Sequence, residues 1–188
     1  MFSGIVEDVG YVESFSSSKL KIRTSLGEME EGDSLMVDGV CLTVSKFSSG
    51  RVWMDVGLET LRKSAGRIIS PGSRVNLERS LSLASRIHGH IVYGHVMGTG
   101  RVEKIIKKSN TKIFNIESGE NFTSKLIEKG SVAVNGVSLT VNEISGGSFW
   151  VAVIPQTLKR SNLGDLRHSK VVNLEADMLV AALRQGRV

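Results

Sequence analysis

The chain has 188 residues, 24 of them Lys or Arg against 19 Asp or Glu, for a formal net charge of +5; that length suits one large domain or two small ones and is enough to bury a core. Its single cysteine, Cys41, excludes an intramolecular disulfide and a zinc-thiolate set, and fits a reducing cytoplasm. The opening MFSGIVEDVG does not read as a basic and then apolar leader, and no run approaches the roughly 18 apolar residues needed to span a bilayer, so a soluble, untargeted cytoplasmic protein is expected, with no membrane partner.

The basic surplus is spread through both halves and reads mainly as a solvated surface, with attraction of an anionic small molecule or nucleic acid as the sharper alternative. In chain order, Val6, Val9 and Val12 among glycines, then KLKIRTS with Leu20, Ile22 and Thr24 alternating, predict a strand pair. Residues 34–46 follow, with Asp38-Gly39 as a turn between β-branched flanks, hence a hairpin. RVWMDV at 51–56 is the next strand, leading into an ETL segment that suits a short helical turn; SPGSRVNLE then supplies a Pro-Gly turn and another strand.

The second half repeats this text. At an offset of 97, Gly39 matches Gly136, Leu42 matches Leu139 and Thr43 matches Thr140; ETLRKS lies over QTLKRS, and VNLE at 75–78 lies over VNLE at 172–175. The start of each unit matches at an offset of 90, Gly4 over Gly94, which places seven extra residues in the second unit around the loop at 107–122. RHSKVVNLE keeps the last strand but lacks the Pro-Gly turn before it. The expected units are 1–87 and 88–176, with a C-terminal helix in 177–188. Asp177 caps that helix, Gly186 stops it, and Leu179, Val180 and Leu183 form an apolar face that packs either on its own barrel or against another subunit. Short strands, glycine-rich turns and one helical turn per unit predict an all-β protein of two similar, small closed barrels.

The chemistry-bearing residues cluster at the join and in the repeat. HGHIVYGHVMGTG, at 88–100, holds three of the four histidines; spacing puts His88 and His90 on one face of an extended strand and His95 on the other unless Gly94 bends the chain. They suit hydrogen-bonded surface imidazoles, proton exchange with a heterocycle or, least well, a three-histidine metal site, since no carboxylate or thiol stands nearby in sequence. Cys41 reads as a small buried hydrophobe, but its counterpart Ser138 argues for a polar contact in both copies. Thr43 and Thr140 suit a strand by β-propensity and suit a ligand-facing hydroxyl equally. The glycines form no phosphate-cradling loop, and no Ser-His-Asp order is present.

The opening MFSGIVEDVG, the pair DGVCLTV and NGVSLTV, the pair ETLRKS and QTLKRSNLG, the repeated VNLE and the central GHIVYGHVMGTG together resemble riboflavin synthase, in order and over nearly the whole chain. The resemblance implies two six-stranded closed barrels and a dismutation in which two 6,7-dimethyl-8-ribityllumazine molecules exchange a four-carbon unit, giving riboflavin and 5-amino-6-ribitylamino-pyrimidinedione. It implies no metal or organic cofactor, a homotrimer associated through C-terminal helices, active sites between the N-terminal barrel of one subunit and the C-terminal barrel of the next, and lumazine synthase as a partner.

By the same resemblance the catalytic set is His95, Cys41, Thr140 and Ser138. As a mechanistic expectation beyond the resemblance itself, His95 moves protons, Cys41 polarises or transiently adds to a substrate, Ser138 and Thr140 position the ring, and Asp177 holds a ribityl hydroxyl. Phe2, Gly4, Val6, Thr43, Thr60, His90, Gly94, Thr157 and Asn162 complete the substrate-binding set. The chain departs from the family pattern at His88-Gly89-His90, where two glycines usually precede the first histidine, and at SAGR, 64–67, where a TNLG-like run is usual. Two alternatives stand beside this expectation: a non-catalytic lumazine or flavin carrier resembling the luminescence antenna proteins, and an OB-like nucleic-acid binding module, which the low aromatic content disfavours.

Overall fold

Leu20 and Ile22 are buried while Lys19 and Arg23 at the ends of the same strand face out, which is the half-buried alternation that curls a sheet around a core. The computed structural model describes residues 1–57, 70–184 and 186. Within them, β1 (Asp8–Ser16), β2 (Lys19–Arg23), β3 (Ser34–Val37), β4 (Val40–Ser48), β5 (Arg51–Asp55) and β6 (Arg74–Arg79) close into one antiparallel barrel in the order β1-β2-β5-β4-β3-β6. β7 (Gly98–Lys108), β8 (Thr111–Glu117), β9 (Ser131–Val134), β10 (Val137–Ser145), β11 (Ser148–Val153) and β12 (Val171–Ala176) close a second barrel with the same connectivity. Three short α-helices, α1 (Glu120–Thr123), α2 (Pro155–Arg160) and α3 (Met178–Arg184), and a 3-10 turn at Asn162–Asp165 accompany the second barrel among the described residues. The expected duplicated pair of six-stranded barrels with a short C-terminal helix is therefore the observed fold. The ETL segment and Thr60 lie outside the described residues.

The repeat extends to irregularities. Each barrel carries its bulges at equivalent places, Val12/Ser14 and Val44/Lys46 in the first, Val102/Lys104 and Val141/Glu143 in the second, where extra residues bend the strands. The hairpins at Asp38-Gly39 and Asn135-Gly136 turn through positive φ at all four residues. The seven extra residues divide between two places. Tyr11 pairs with Arg23 but Arg101 pairs with Glu117, so the first hairpin of the second barrel is four residues longer, and the remaining three fall in the segment containing α1.

One expectation is corrected. The turn before the last strand persists in the second unit, although its sequence signal does not: His168-Ser169 stands in place of Pro71-Gly72, with Ser169 at φ 63 where Gly72 has φ 85. The backbone bond that closes the turn is retained, from Ser73 N to Ser70 O in one copy and from Lys170 N to Arg167 O in the other.

Each barrel has its own apolar core, and a small third cluster of Phe2, Met36, Val92 and Ala133, with Cys41 packed against it, lies between them. Around it runs a polar seam with local twofold pattern. The Asn76 amide donates to Asp38 Oδ1 at 2.7 Å and the Asn173 amide to Asn135 Oδ1 at 2.8 Å, while Asn76 Nδ2 reaches Asn135 O and Asn173 Nδ2 reaches Asp38 O. Each buried amide side chain thus answers a buried backbone group, as burial demands.

Candidate functional site

Two short straps, residues 1–6 and 91–96, are equivalent in the repeat and cross between the barrels. They pair at their crossing point, Phe2 N to Val92 O at 2.7 Å and Val92 N to Phe2 O at 3.0 Å. Beyond the crossing each strap docks on the other unit's barrel. Gly4 O accepts the Ser138 amide of β10 at 2.8 Å, and Gly94 O accepts the Cys41 amide of β4 at 2.9 Å. Only glycine serves at either position: φ is +76 at Gly4 and +77 at Gly94, and a Cβ would stand 2.6 Å from the Cβ of Ser138 or Cys41.

The strap of residues 1–6 completes a cavity of about 150 Å³ on the second barrel, lined by Gly4, Ile5, Val6, Val137, Ser138, Ile154, Gln156, Thr157, Arg160 and Ser161. α2 supplies its outer wall because Pro155 sits at the first helical turn, where a missing N–H costs nothing. Ser161 ends that helix, donating to Thr157 O at 2.6 Å and accepting from Leu163 N at 3.3 Å. An apolar strap face, a serine hydroxyl, a threonine and a guanidinium around one recess suit a flat heterocycle with a polar tail.

His90 lies behind Ser138, its Nδ1 2.8 Å from Ser138 Oγ and its backbone N donating to Ser3 O at 3.2 Å. Burial pushes the imidazole below its ordinary pKa, against the opposing pull of the Asp177 carboxylate, and Nε2 is buried without a hydrogen-bond partner among the described residues. The result is a neutral imidazole hydrogen-bonded to a hydroxyl at the cavity, a pair able to relay a proton. Asp177 accepts from Leu179 N at 3.0 Å and so caps α3.

On the first barrel, half-buried Cys41 sits beneath Gly94, and the Tyr93 and His95 rings stack at 6.2 Å with His95 exposed. Thr60, the sequence equivalent of Thr157, lies outside the described residues. Within the duplicated frame the two sides differ: Cys41 against Ser138, and His95 against Ile5.

The structure thus brings Gly4, Val6, Ser138 and Thr157 together at one cavity with His90 and Asp177 behind it, and Cys41, Gly94 and His95 together on the other side. Thr43 and Thr140 are exposed on the outer faces of β4 and β10, two residues beyond Cys41 and Ser138, and neither lines the cavity. Phe2 is fully buried in the cluster between the barrels. Asn162 belongs to the seam: its Nδ2 donates to Asp38 Oδ1 and Arg74 O, and its Oδ1 accepts from Asn76 and Asn135. There it borders a polar cleft of about 390 Å³ with Arg74, Asp165 and Lys170. Among the described residues no group of three or more His, Cys, Asp and Glu side chains is placed to hold a metal ion, and no helix is long and apolar enough to cross a membrane.

Sequence reasoning missed Ile5, Gln156, Arg160 and Ser161 as lining residues, and above all Glu78 and Glu175, the last letters of the two VNLE phrases. Glu78 Oε1 accepts Ser3 N at 2.7 Å and Ser3 Oγ at 2.8 Å while Oε2 accepts Gly4 N at 3.0 Å. Glu175 accepts Tyr93 N at 2.7 Å and His95 N at 2.9 Å. Burial pushes both carboxyls above the usual carboxylate range, and the strap amides pull them back. The signal available was an acidic residue kept at the same place in both copies of an otherwise apolar strand.

The family model described as lumazine binding domain matches the chain twice, over residues 3–80 and 93–177. The riboflavin synthase of Actinobacillus pleuropneumoniae is 37% identical over 191 residues, covering 98% of this chain and 89% of its own length. That of Mycobacterium tuberculosis (strain H37Rv) is 39% identical over 189 residues, covering 95% and 94%. Among solved structures, LumP complexed with 6,7-dimethyl-8-(1'-D-ribityl) lumazine superposes with a TM-score of 0.80 at 23% identity over 94% of this chain and 99% of that one.

Proposed function

The chain belongs to the riboflavin-synthase and lumazine-binding family, and from that premise we propose that it is a riboflavin synthase, converting two molecules of 6,7-dimethyl-8-ribityllumazine into riboflavin and 5-amino-6-ribitylamino-pyrimidinedione. The observation that carries this reading is the unlike chemistry of two like sites. Cys41 and His95 stand on one side, Ser138 backed by His90 on the other, each at a Gly4- or Gly94-type strap contact. Two identical substrates call for two similar recesses, while donor and acceptor roles call for different reactive groups in them.

In this mechanism a proton leaves the C7 methyl of the donor, whose ring delocalises the charge. A nucleophile adds at C7 of the acceptor, the two molecules join, and eliminations pass the four carbons across. All atoms of the two substrates are recovered in the two products, so no oxidant or reductant is required. His95, exposed beside the Cys41 site, is the proton carrier. The Ser138–His90 pair orients a ring in the other recess, and Thr157 and Arg160 face its polar tail. Holding both molecules in register supplies several kcal/mol of the rate enhancement through orientation alone.

Assembly as a homotrimer places the Cys41 side of one subunit against the Ser138 side of the next. The exposed Leu179 and Leu183 of α3, 70% and 65% accessible, support such association.

A second reading, a lumazine or flavin carrier without turnover, is favoured by the family model, which describes binding. One experiment separates the two: purified protein is incubated with 6,7-dimethyl-8-ribityllumazine and riboflavin is followed by absorbance and fluorescence. Riboflavin formed without added cofactor is the result expected of a synthase. Stoichiometric binding without product overturns that reading in favour of the carrier.

A further inference from the structure

Glu78 and Glu175 have no part in the proposed chemistry, yet each is a carboxylate in a strand of barrel wall, 3% and 2% exposed, with neither a Lys nor an Arg among its hydrogen-bond donors in the described residues. Burying such a group is costly unless fixed donors replace its water. The donors are strap amides. Glu78, rooted in β6 of the first barrel, holds Ser3 and Gly4, whose carbonyl side caps Ser138 of the second barrel. Glu175, rooted in β12 of the second barrel, holds Tyr93 and His95 on either side of Gly94, which caps Cys41 of the first.

We propose that Glu78 and Glu175 are crosswise positioning residues: each carboxylate, anchored in one barrel, fixes the strap that completes the ligand site of the other. The geometry makes this more than general adhesion. A carboxylate with two acceptor oxygens spans donors one or two residues apart and sets the peptide orientation of the intervening segment. In the left-handed Gly4 and Gly94 that orientation decides whether the glycine carbonyl meets its barrel amide. His95 hangs from an amide that Glu175 holds, so the proton carrier of the first-barrel site is aimed from the second barrel. That the straps serve ligand recognition rests on the proposed function; the clamp itself is tested without ligand or turnover, so its failure and the failure of that function appear in different experiments.

The test is amide hydrogen exchange by NMR on the full chain. The Cys41 and Ser138 amides donate to strap carbonyls and report each strap separately. In Glu175→Gln the side-chain amide turns a donor toward a backbone donor, and Cys41 N–H is expected to exchange about tenfold faster, with Ser138 N–H unchanged. In Glu78→Gln the pattern reverses. The core amides of Val52 and Phe149 hold their wild-type rates in both. Loosening of the amide in the mutated residue's own barrel, of both amides equally, or of neither overturns the proposal.

Should the glutamine variants not fold, Glu78→Asp and Glu175→Asp keep the charge, shorten the reach and are read at the same two amides. The unmodified protein gives an independent check: the Tyr93 and His95 amide shifts must titrate with the Glu175 carboxyl carbon, and those of Ser3 and Gly4 with the Glu78 carboxyl carbon. Independent titrations overturn the assignment.

Discussion

Replacing Asp38 by Asn tests the seam. Asp38 and Asn135 occupy the same place in the two copies, both at φ 46, so Asn is accommodated by the backbone without strain. Burial pushes the Asp38 carboxyl from its ordinary 3.8 up to about 7, opposed by bonds from the Asn76 amide and the Asn162 side chain. The charged groups that share its cleft are Arg74, Asp165 and Lys170, and Arg74 is already paired with Asp165 at 2.5 Å. Because the folded value lies above the unfolded one, the folded state binds the extra proton between about pH 4 and pH 7. The carboxyl's stabilising contribution is full below that window, falls as pH rises through it and is flat above about 7. The ionised form is thus penalised by at most about 4 kcal/mol. An Asn at this position keeps one oxygen to accept both bonds and carries no charge. Urea denaturation from pH 4 to pH 8.5 is therefore expected to show Asp38→Asn gaining on wild type as pH rises, by up to about 4 kcal/mol, with m unchanged. Glu78 and Glu175, shifted in the same direction, tilt both curves alike and cancel in the difference. A difference that stays constant across this range, or grows toward acid, refutes the argument.

Three further outcomes follow from the same geometry. Gly94→Ala forces a Cβ against Cys41 at a left-handed φ, and is expected to cost about 1–3 kcal/mol, read as a fall in Tm, and to quicken alkylation of Cys41 by iodoacetamide. His95→Gln is expected to lower the single-turnover rate by at least about a hundredfold while lumazine affinity, measured by direct titration, changes much less; equal losses in both would make His95 a binding residue instead. Leu179→Glu combined with Leu183→Glu places charge on the exposed apolar face of α3, and sedimentation is expected to show dissociation to a folded monomer with riboflavin formation lost.

What the sequence made legible was whatever depends on near neighbours. Asp38-Gly39 and Asn135-Gly136 announce their turns because positive φ is cheap for those residues, and alternation along KLKIR announces a barrel wall. The turn at His168-Ser169 was hidden because Ser169 takes a left-handed φ without glycine, held by the closing bond and by the strand that follows. Ser169 does stand 97 residues after Gly72, in the register of the repeat, but without the Pro-Gly signal the turn is not expected from the sequence. In the site, Gly4, Val6 and Ser138 were named through family resemblance, whereas their contacts were not. No periodicity pairs His90 with Ser138, 48 residues away, or Glu78 with Ser3, 75 residues away. Asn162 is expected as a ligand contact through the resemblance of its SNLG run; in the structure Thr157 and Ser161 line the cavity, and one residue further on the chain has turned into the seam.

Duplication and asymmetry are related through that seam. A matched pair of barrels joined by matched bonds, Asn76 to Asn135 O and Asn173 to Asp38 O, tolerates divergence only at positions whose partners can absorb it. Cys41 and Ser138 meet that condition: each offers its backbone amide to a strap glycine, and the one side-chain hydrogen bond the pair makes among the described residues, between Ser138 Oγ and His90 Nδ1, lies outside the joint. Asp38 and Asn135 do not, because both side chains are committed to the joint itself, and there the charge difference is borne as a displaced pKa. The chemical difference between the sites thus falls where the joint uses only the backbone amide. Exchanging Cys41 and Ser138 should leave the fold and its stability nearly intact while altering what each recess does. A double variant Cys41→Ser, Ser138→Cys with wild-type Tm but impaired riboflavin formation is the expected result, and a large loss of Tm would place both residues in the joint after all.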